Sequence, residues 1–175
     1  MINIIFQNFK YHNNIGCVWR LCSVLGGCKI IMEKPYNNVL KNIKRIANGF
    51  ENDNNILFVE DVNKYIEYVN KNNSNNEIYI AETKEFWDIL SQNEKYINYE
   101  NILDISFETS EKEIYIVFGH ELNGINIEPL KNISFKGVYI PQTSIQSKRD
   151  GMNTSLNLGV SIAFIIGVFK CKMSV

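Results

Sequence analysis

The sequence is short of the residues that build metal and redox sites. It holds two histidines, His12 and His120, and four cysteines, Cys17, Cys22, Cys28 and Cys171, with no Cys-x-x-Cys pair. A zinc site therefore has little to draw on, and no metal is expected. The cysteines are expected to be reduced and mostly buried, as free thiols usually are, which points to a reducing compartment. Neither sign of charge dominates: 18 basic against 19 acidic side chains leave a net charge of −1. That balance excludes a chain that coats nucleic acid or membrane by bulk electrostatics, although it leaves room for a local basic patch. The apolar run 158–169 is interrupted by Gly159, Ser161 and Gly167 and falls short of the ~20 residues a bilayer span requires. The opening "MINIIFQNFK" has no charged leader before its apolar residues and no small-residue cleavage site, so it reads as a first strand and not a signal peptide. A soluble, cytoplasmic protein is expected.

The residues that are present describe a globular chain. Hydrophobic residues make up 45% and aromatics 12% of the 175 positions, enough for one core and one domain over residues 1–175. The 25 asparagines, dense in "NGFENDNN" and "NKNNSNNE", are expected to fill exposed turns, where asparagine tolerates left-handed backbone.

Runs of β-branched and aromatic residues recur at Ile2–Phe6, Cys28–Met32, Ile56–Val59, Glu77–Ala81, Glu113–Phe118 and Gly137–Ile140. Most are continuously apolar, the pattern of strands covered on both faces. Helical stretches lie between them at Ile15–Leu25, Asn38–Ala47, Asp61–Asn70, about Lys84–Leu90 and Ser155–Lys170, and 91–112 reads as loop. This alternation predicts an α/β domain with a mostly parallel sheet and helices on both faces. In the second helix Val39, Ile43, Ile46 and Ala47 form the apolar face, while Lys41, Lys44 and Arg45 point elsewhere, as a solvated face or a nucleic-acid contact.

Ligands of open α/β sheets bind beyond the carboxyl ends of the strands, which directs attention to three stretches. After the first strand, "HNNIGCVWR" carries Asn14 and, six positions on, Arg20 beside Trp19. A mid-helix arginine there either stacks its stem on an aromatic neighbour or serves a site. After "EIYIVFG", Gly119 and Gly124 bracket Glu121; this is either a plain glycine turn or a close approach of backbone to a ligand beside a carboxylate. After "GVYIP", the polar cluster Asn153, Thr154, Ser155 and Asn157 runs into the apolar stretch from Leu158 to Phe169. Helix capping accounts for one polar residue. It does not account for Ser155 and Asn157 together, because Asn157 falls within the expected first turn, where asparagine has no propensity advantage.

Taken in order, "NNIGCVWR", "FGHELNGI" and "YIP…GMNTSLNLGVSIAF" resemble the three motifs of the SPOUT superfamily, in its SpoU (TrmH-like) branch of RNA ribose 2′-O-methyltransferases, over about residues 1–170. The resemblance implies an α/β domain whose C-terminal part forms a deep trefoil knot, a topology outside the usual rules of chain connection. It also implies S-adenosylmethionine as cofactor, held mainly through main-chain groups at Gly119, Ile140, Leu156 and, by a weaker match, Thr83. The same resemblance assigns the catalytic arginine to Arg20, supported by Asn14, with Glu121, Ser155 and Asn157 shaping the site. An arginine is a poor base, so Arg20 is expected to bind the phosphate flanking the target nucleotide and to steer the ribose hydroxyl. All these groups are expected around one cavity.

Further expectations follow from the same likeness. The partner is RNA, most readily tRNA, because the length leaves no room for an added RNA-binding domain and "RLC" is similar to the minimal tRNA-directed members. A homodimer packed through the first and last helices is implied. The alternatives are ribosomal RNA as substrate, a catalytically silent RNA-binding module, or an unrelated α/β protein. Two features depart from the family pattern. The stretch between Pro141 and Ser155 is longer than usual and carries Lys148 and Arg149, as RNA contacts or as loop decoration. His120 stands where a small residue is more common, and no role is assigned to it.

Overall fold

The computed structural model describes residues 1–50, 53–72, 76–93, 97–106, 112–141 and 156–173. Its strands are β1 (Ile2–Phe6), β2 (Cys28–Glu33), β3 (Ile56–Val59), β4 (Asn76–Ala81), β5 (Tyr99–Asn101), β6 (Glu113–Phe118) and β7 (Lys136–Tyr139). They form one seven-stranded sheet in the order β3-β2-β1-β6-β4-β7-β5, and each pairing is parallel. The helices are α1 (His12–Leu25), α2 (Asn37–Ala47), α3 (Val62–Asn72), α4 (Lys84–Asn93) and α5 (Leu158–Met173).

The strands are continuously apolar because both sheet faces are covered. Ile2, Ile4 and Phe6 of β1 and Ile114, Ile116 and Phe118 of β6 turn toward α1, α2 and α5. Ile5, Tyr115 and Val117, the alternate positions, turn toward α3 and α4. On the first face α1 and α2 approach closely at Gly16, where a Cβ would stand 2.6 Å from Ile46 Cβ and 2.8 Å from the Ile43 carbonyl oxygen. The glycine of "NNIGCVWR" is thus a packing residue.

The chain builds β2 and β3 on one side of β1, then crosses back to lay down β4, β5, β6 and β7 on the other. Strand direction of growth reverses at β1 and β6, which opens a crevice at their carboxyl ends. That end of the sheet carries the candidate residues.

Several boundaries differ from the expected ones. Helix α1 starts at His12, not Ile15, which brings Asn14 into its first turn. The stretch expected as loop over 91–112 contains the end of α4 and the edge strand β5, whose three residues, Tyr99, Glu100 and Asn101, show no apolar pattern of their own. Strand β7 ends at Tyr139, so Ile140 lies just beyond it. Helix α5 starts at Leu158, three residues later than Ser155. The carbonyl of Asn157 accepts the Ser161 N–H at 2.9 Å and its side-chain Oδ1 accepts the Gly159 N–H at 2.9 Å. Asn157 is therefore the cap itself and not a first-turn residue. Ser155, Lys148, Arg149 and the 142–154 loop lie outside the described residues, and so does the segment through which the expected knot would thread.

Helix α5 is apolar all round but not buried all round. Ile162, Ile165, Ile166 and Phe169 enter the core, whereas Val160 and Phe164 are 54% and 41% exposed, with Ala163 and Cys171 exposed on the same side. Among the described residues no helix is long and apolar enough to cross a membrane. The four cysteines are free thiols, but only Cys22 and Cys28 are buried; Cys17 and Cys171 are exposed, against the expectation of mostly buried thiols. A hydrogen bond between the two buried thiols raises Cys22 and lowers Cys28 to about 7.

Candidate active site

The turn after β6 is fixed on three sides. At its tip the Glu121 carboxylate accepts the Lys10 N–H at 2.7 Å, the Tyr11 N–H at 3.1 Å and the Asn14 side-chain N–H at 2.9 Å. Partial burial pushes the Glu121 carboxyl up, but these donors together with its own N–H outweigh that and hold its pKa below the ordinary glutamate value. An ionised, acceptor-saturated carboxylate of this kind anchors the β1–α1 loop and is poorly placed to take a proton.

On the β4 side, Glu82 accepts the Ile125 N–H at 2.7 Å and the Thr83 N–H at 3.1 Å, while its own N–H donates to the Val138 carbonyl at 3.1 Å. One residue thereby ties together the ends of β4, β6 and β7. Desolvation raises the Glu82 pKa, and the two backbone donors only partly offset it. On the β1 side, buried Gln7 accepts the Asn126 N–H at 2.7 Å and donates to the Asn126 carbonyl at 2.9 Å and to Asn63 Oδ1 at 2.8 Å. Neither Gln7 nor Glu82 is marked in the sequence by any motif.

The two glycines of "GHELNG" are explained by the turn itself. A Cβ on Gly119 would collide with the backbone of Gly124 and Ile125. Gly124 has φ +68°, and a Cβ there would stand 2.6 Å from Glu82 Oε1. The close approach is therefore made by the chain's own turn.

Of the expected catalytic residues, three converge. Asn14 is 7% exposed and bonded to Glu121. A Cβ at Gly159 would lie 3.2 Å from Asn157 Oδ1 and 3.6 Å from Asn14 Oδ1, so both amides meet at the start of α5. Arg20 is not with them. Six helical positions put it ~9 Å further along α1 and ~120° around its axis. Its guanidinium lies exposed over the Phe50 ring, 4.7 Å from the centroid. The aromatic partner is Phe50 rather than Trp19, which is fully buried. Among the described residues of one chain, Arg20 is thus set against Phe50 and not beside Glu121 and Asn157, where it was expected.

The residues expected at the cofactor stand at neighbouring strand ends. Thr83 follows β4 and caps α4, its Oγ1 accepting the Phe86 N–H at 3.2 Å. Gly119 follows β6, Ile140 follows β7 half-buried against the core, and Leu156 is exposed just before α5. Beyond strand hydrogen bonds, main-chain groups are what these positions can offer to a ligand.

A parallel α/β sheet whose functional residues gather at the carboxyl ends of the strands around its topological switch defines the class of ligand-binding α/β domains. Sequence comparison narrows this: the pattern of the SpoU rRNA methylase family matches residues 1–167, and the chain belongs to that family, one of RNA methyltransferases. No curated protein sequence matches it. Among solved structures it is similar to a protein described in connection with the 2-OH methylation of C/U34 on tRNA, at 16% identity and TM-score 0.67, covering 99% of this chain and 97% of that one. An RNA methyltransferase described from Bacillus anthracis shares 20% identity at TM-score 0.70, covering 99% and 95% of the two chains. An S-adenosylmethionine-bound rRNA methyltransferase from Sinorhizobium meliloti shares 14% identity at TM-score 0.70, over 97% of this chain and 56% of that one.

Proposed function

We propose that the protein transfers a methyl group from S-adenosylmethionine to a ribose 2′-hydroxyl of RNA, with tRNA as the substrate, in the cytoplasm. The observation that carries this reading is the convergence of Asn14, Glu121 and Asn157 at the strand ends beside Thr83, Gly119 and Ile140. The match that spans nearly all of the tRNA-linked chain and only part of the rRNA-linked one supports the choice of tRNA.

S-adenosylmethionine, when bound, supplies an electrophilic methyl on a sulfonium. Main-chain groups at Thr83, Gly119, Ile140 and Leu156 would hold it, with Asn157 on the acceptor side; Ser155, assigned there by the resemblance, lies outside the described residues. Glu121 does not act as base; it orders the Lys10–Asn14 segment so that the Asn14 amide faces the acceptor. Alignment of donor, methyl and hydroxyl oxygen is the larger part of such catalysis. Arg20 binds the phosphate next to the target nucleotide, and the hydroxyl proton leaves to that phosphate or to water.

Arg20 lies on the exposed stripe of α1 with Asn13, Cys17 and Val24, and α5 exposes Val160, Ala163, Phe164 and Cys171. A homodimer packed through α1 and α5 covers both stripes and carries Arg20 to the partner's acceptor site. Two experiments test the reading. Nucleoside mass spectrometry of tRNA and rRNA incubated with protein and donor should find a 2′-O-methylated nucleoside in tRNA; methylation on a base instead would overturn it. Arg20→Ala and Glu121→Ala should each abolish transfer while leaving donor affinity nearly unchanged for Arg20→Ala. Mixed and allowed to exchange subunits, they should regain about a quarter of wild-type activity, because half the dimers then hold one intact site. No recovery would place Arg20 and Glu121 in the same subunit's site.

A further inference from the structure

Beside the turn, on its β1 side, lies a hollow of about 590 Å³ lined by Asn8, Phe9, His120, Asn123, Gly124, Ile125 and Asn126. Its size falls in the range of small-ligand sites, ~300–1,000 Å³. The composition of the lining is unusual for a site on a phosphate-bearing substrate: among these residues there is no lysine, arginine or carboxylate. Three amide side chains, one imidazole and one aromatic ring are the groups that read and stack an uncharged heterocycle.

The backbone holds these groups in place. Asn8 sits in the left-handed region at φ +60° at the end of β1, a conformation asparagine tolerates and most residues do not. His120 Nδ1 accepts the N–H groups of Leu122 at 3.1 Å and Asn123 at 3.3 Å, which leaves Nε2–H as the donor. The antiparallel bridge between His120 and Gly124 fixes the ring's backbone. The segments that line the hollow, Asn8–Phe9 and His120–Asn126, run directly into Lys10–Tyr11 and Glu121, which bond to each other at the acceptor site. The Glu82 clamp lies on the opposite, β4, side of the same turn, toward Thr83.

We propose that this hollow receives a nucleobase of the acceptor RNA, read by the amides of Asn8, Asn123 and Asn126 and by His120 Nε2–H, with Phe9 as its apolar wall. The inference rests on the proposed function, since an acceptor ribose at Asn14 and Glu121 brings its base, or its neighbour's, to this side of the turn. Adenine of the methyl donor is the same chemistry from another source, and the two are separable by experiment.

The test is titration of the full-length protein with short single-stranded RNA oligonucleotides of differing base, followed by amide chemical shifts, with S-adenosylmethionine titrated separately. RNA is expected to shift Asn8, Phe9 and His120–Asn126 and to bind with a base preference. The donor is expected to shift Thr83, Gly119 and Ile140, with the turn packed on Gly119, and to leave Asn8 and Phe9 unmoved. Asn8→Gly keeps the left-handed backbone and removes the amide; Asn123→Ala removes an exposed amide. Each should weaken the preferred oligonucleotide about tenfold, the loss of a hydrogen bond to an uncharged base, and flatten the base preference, with donor affinity unchanged. The proposal is overturned if RNA leaves these amides unmoved, if the donor moves Asn8 and Phe9 as strongly as RNA does, or if both variants keep the wild-type preference. Binding in the hollow without any methyl transfer would count against the proposed function and leave the pocket standing.

Discussion

At the scale of single residues, the site is governed by two carboxylates of opposite character. Glu121 is held below the ordinary glutamate value of 4.5 by the donors around it, despite partial burial. The stability it contributes is complete above that value and lost as pH falls through its lowered folded pKa. Glu82 is raised above 4.5 by desolvation. Its favourable contribution is complete below that value and lost as pH rises through the folded pKa. Urea unfolding across the carboxylate range should therefore find Glu82→Gln gaining on the wild type as pH rises and Glu121→Gln losing ground; slopes of the same sign would contradict this assignment. Glu121 was legible in the sequence, as a carboxylate bracketed by glycines after an apolar strand. Glu82 was not, because what distinguishes it is the Ile125 N–H, 43 positions away in the chain.

At the scale of elements, α1 and α5 carry most of the residues proposed for function. Asn14 and Arg20 belong to one short motif, yet the helical repeat sends them to different faces, so one element serves two locations. The contact of α1 with α2 at Gly16 sets the angle at which Asn14 is presented. Gly16→Ala places a methyl against Ile46 and the Ile43 carbonyl and should destabilise by about 1–3 kcal/mol in denaturant titrations. An unchanged unfolding midpoint would remove Gly16 from that role. Asn157 is the cap of α5 as well as a proposed site residue. Asn157→Ala is expected to cost about 1 kcal/mol from the lost cap alone, and its activity loss should be read against that. The periodicities located α1–α4 to within a few residues. They misplaced the start of α5, since a cap is defined by which N–H the side chain accepts and not by residue type.

At the scale of the whole molecule, the exposed stripes of α1 and α5 are the surfaces on which the proposed homodimer is tested. Val160 and Phe164 are large apolar side chains left on the surface of a helix whose other side is core, which is the usual mark of an interaction face. Phe164→Glu should give a monomer by sedimentation, with unchanged helix content and lost methyl transfer. A dimer that persists in this variant would move the interface elsewhere.

The local sequence by itself determined six of the seven strands and the five helices to within a few residues, that both sheet faces are covered, and that polar residues cluster just past three strand ends. These follow from short-range periodicity and from the chemistry of each residue type. Only the tertiary structure decided the strand order, the gathering of Asn14, Glu121 and Asn157, the clamps made by Gln7 and Glu82, and the setting of Arg20 against Phe50. Those are matters of distance between residues far apart in the chain, and they are fixed by the parallel crossovers and by the twist of each helix against the sheet.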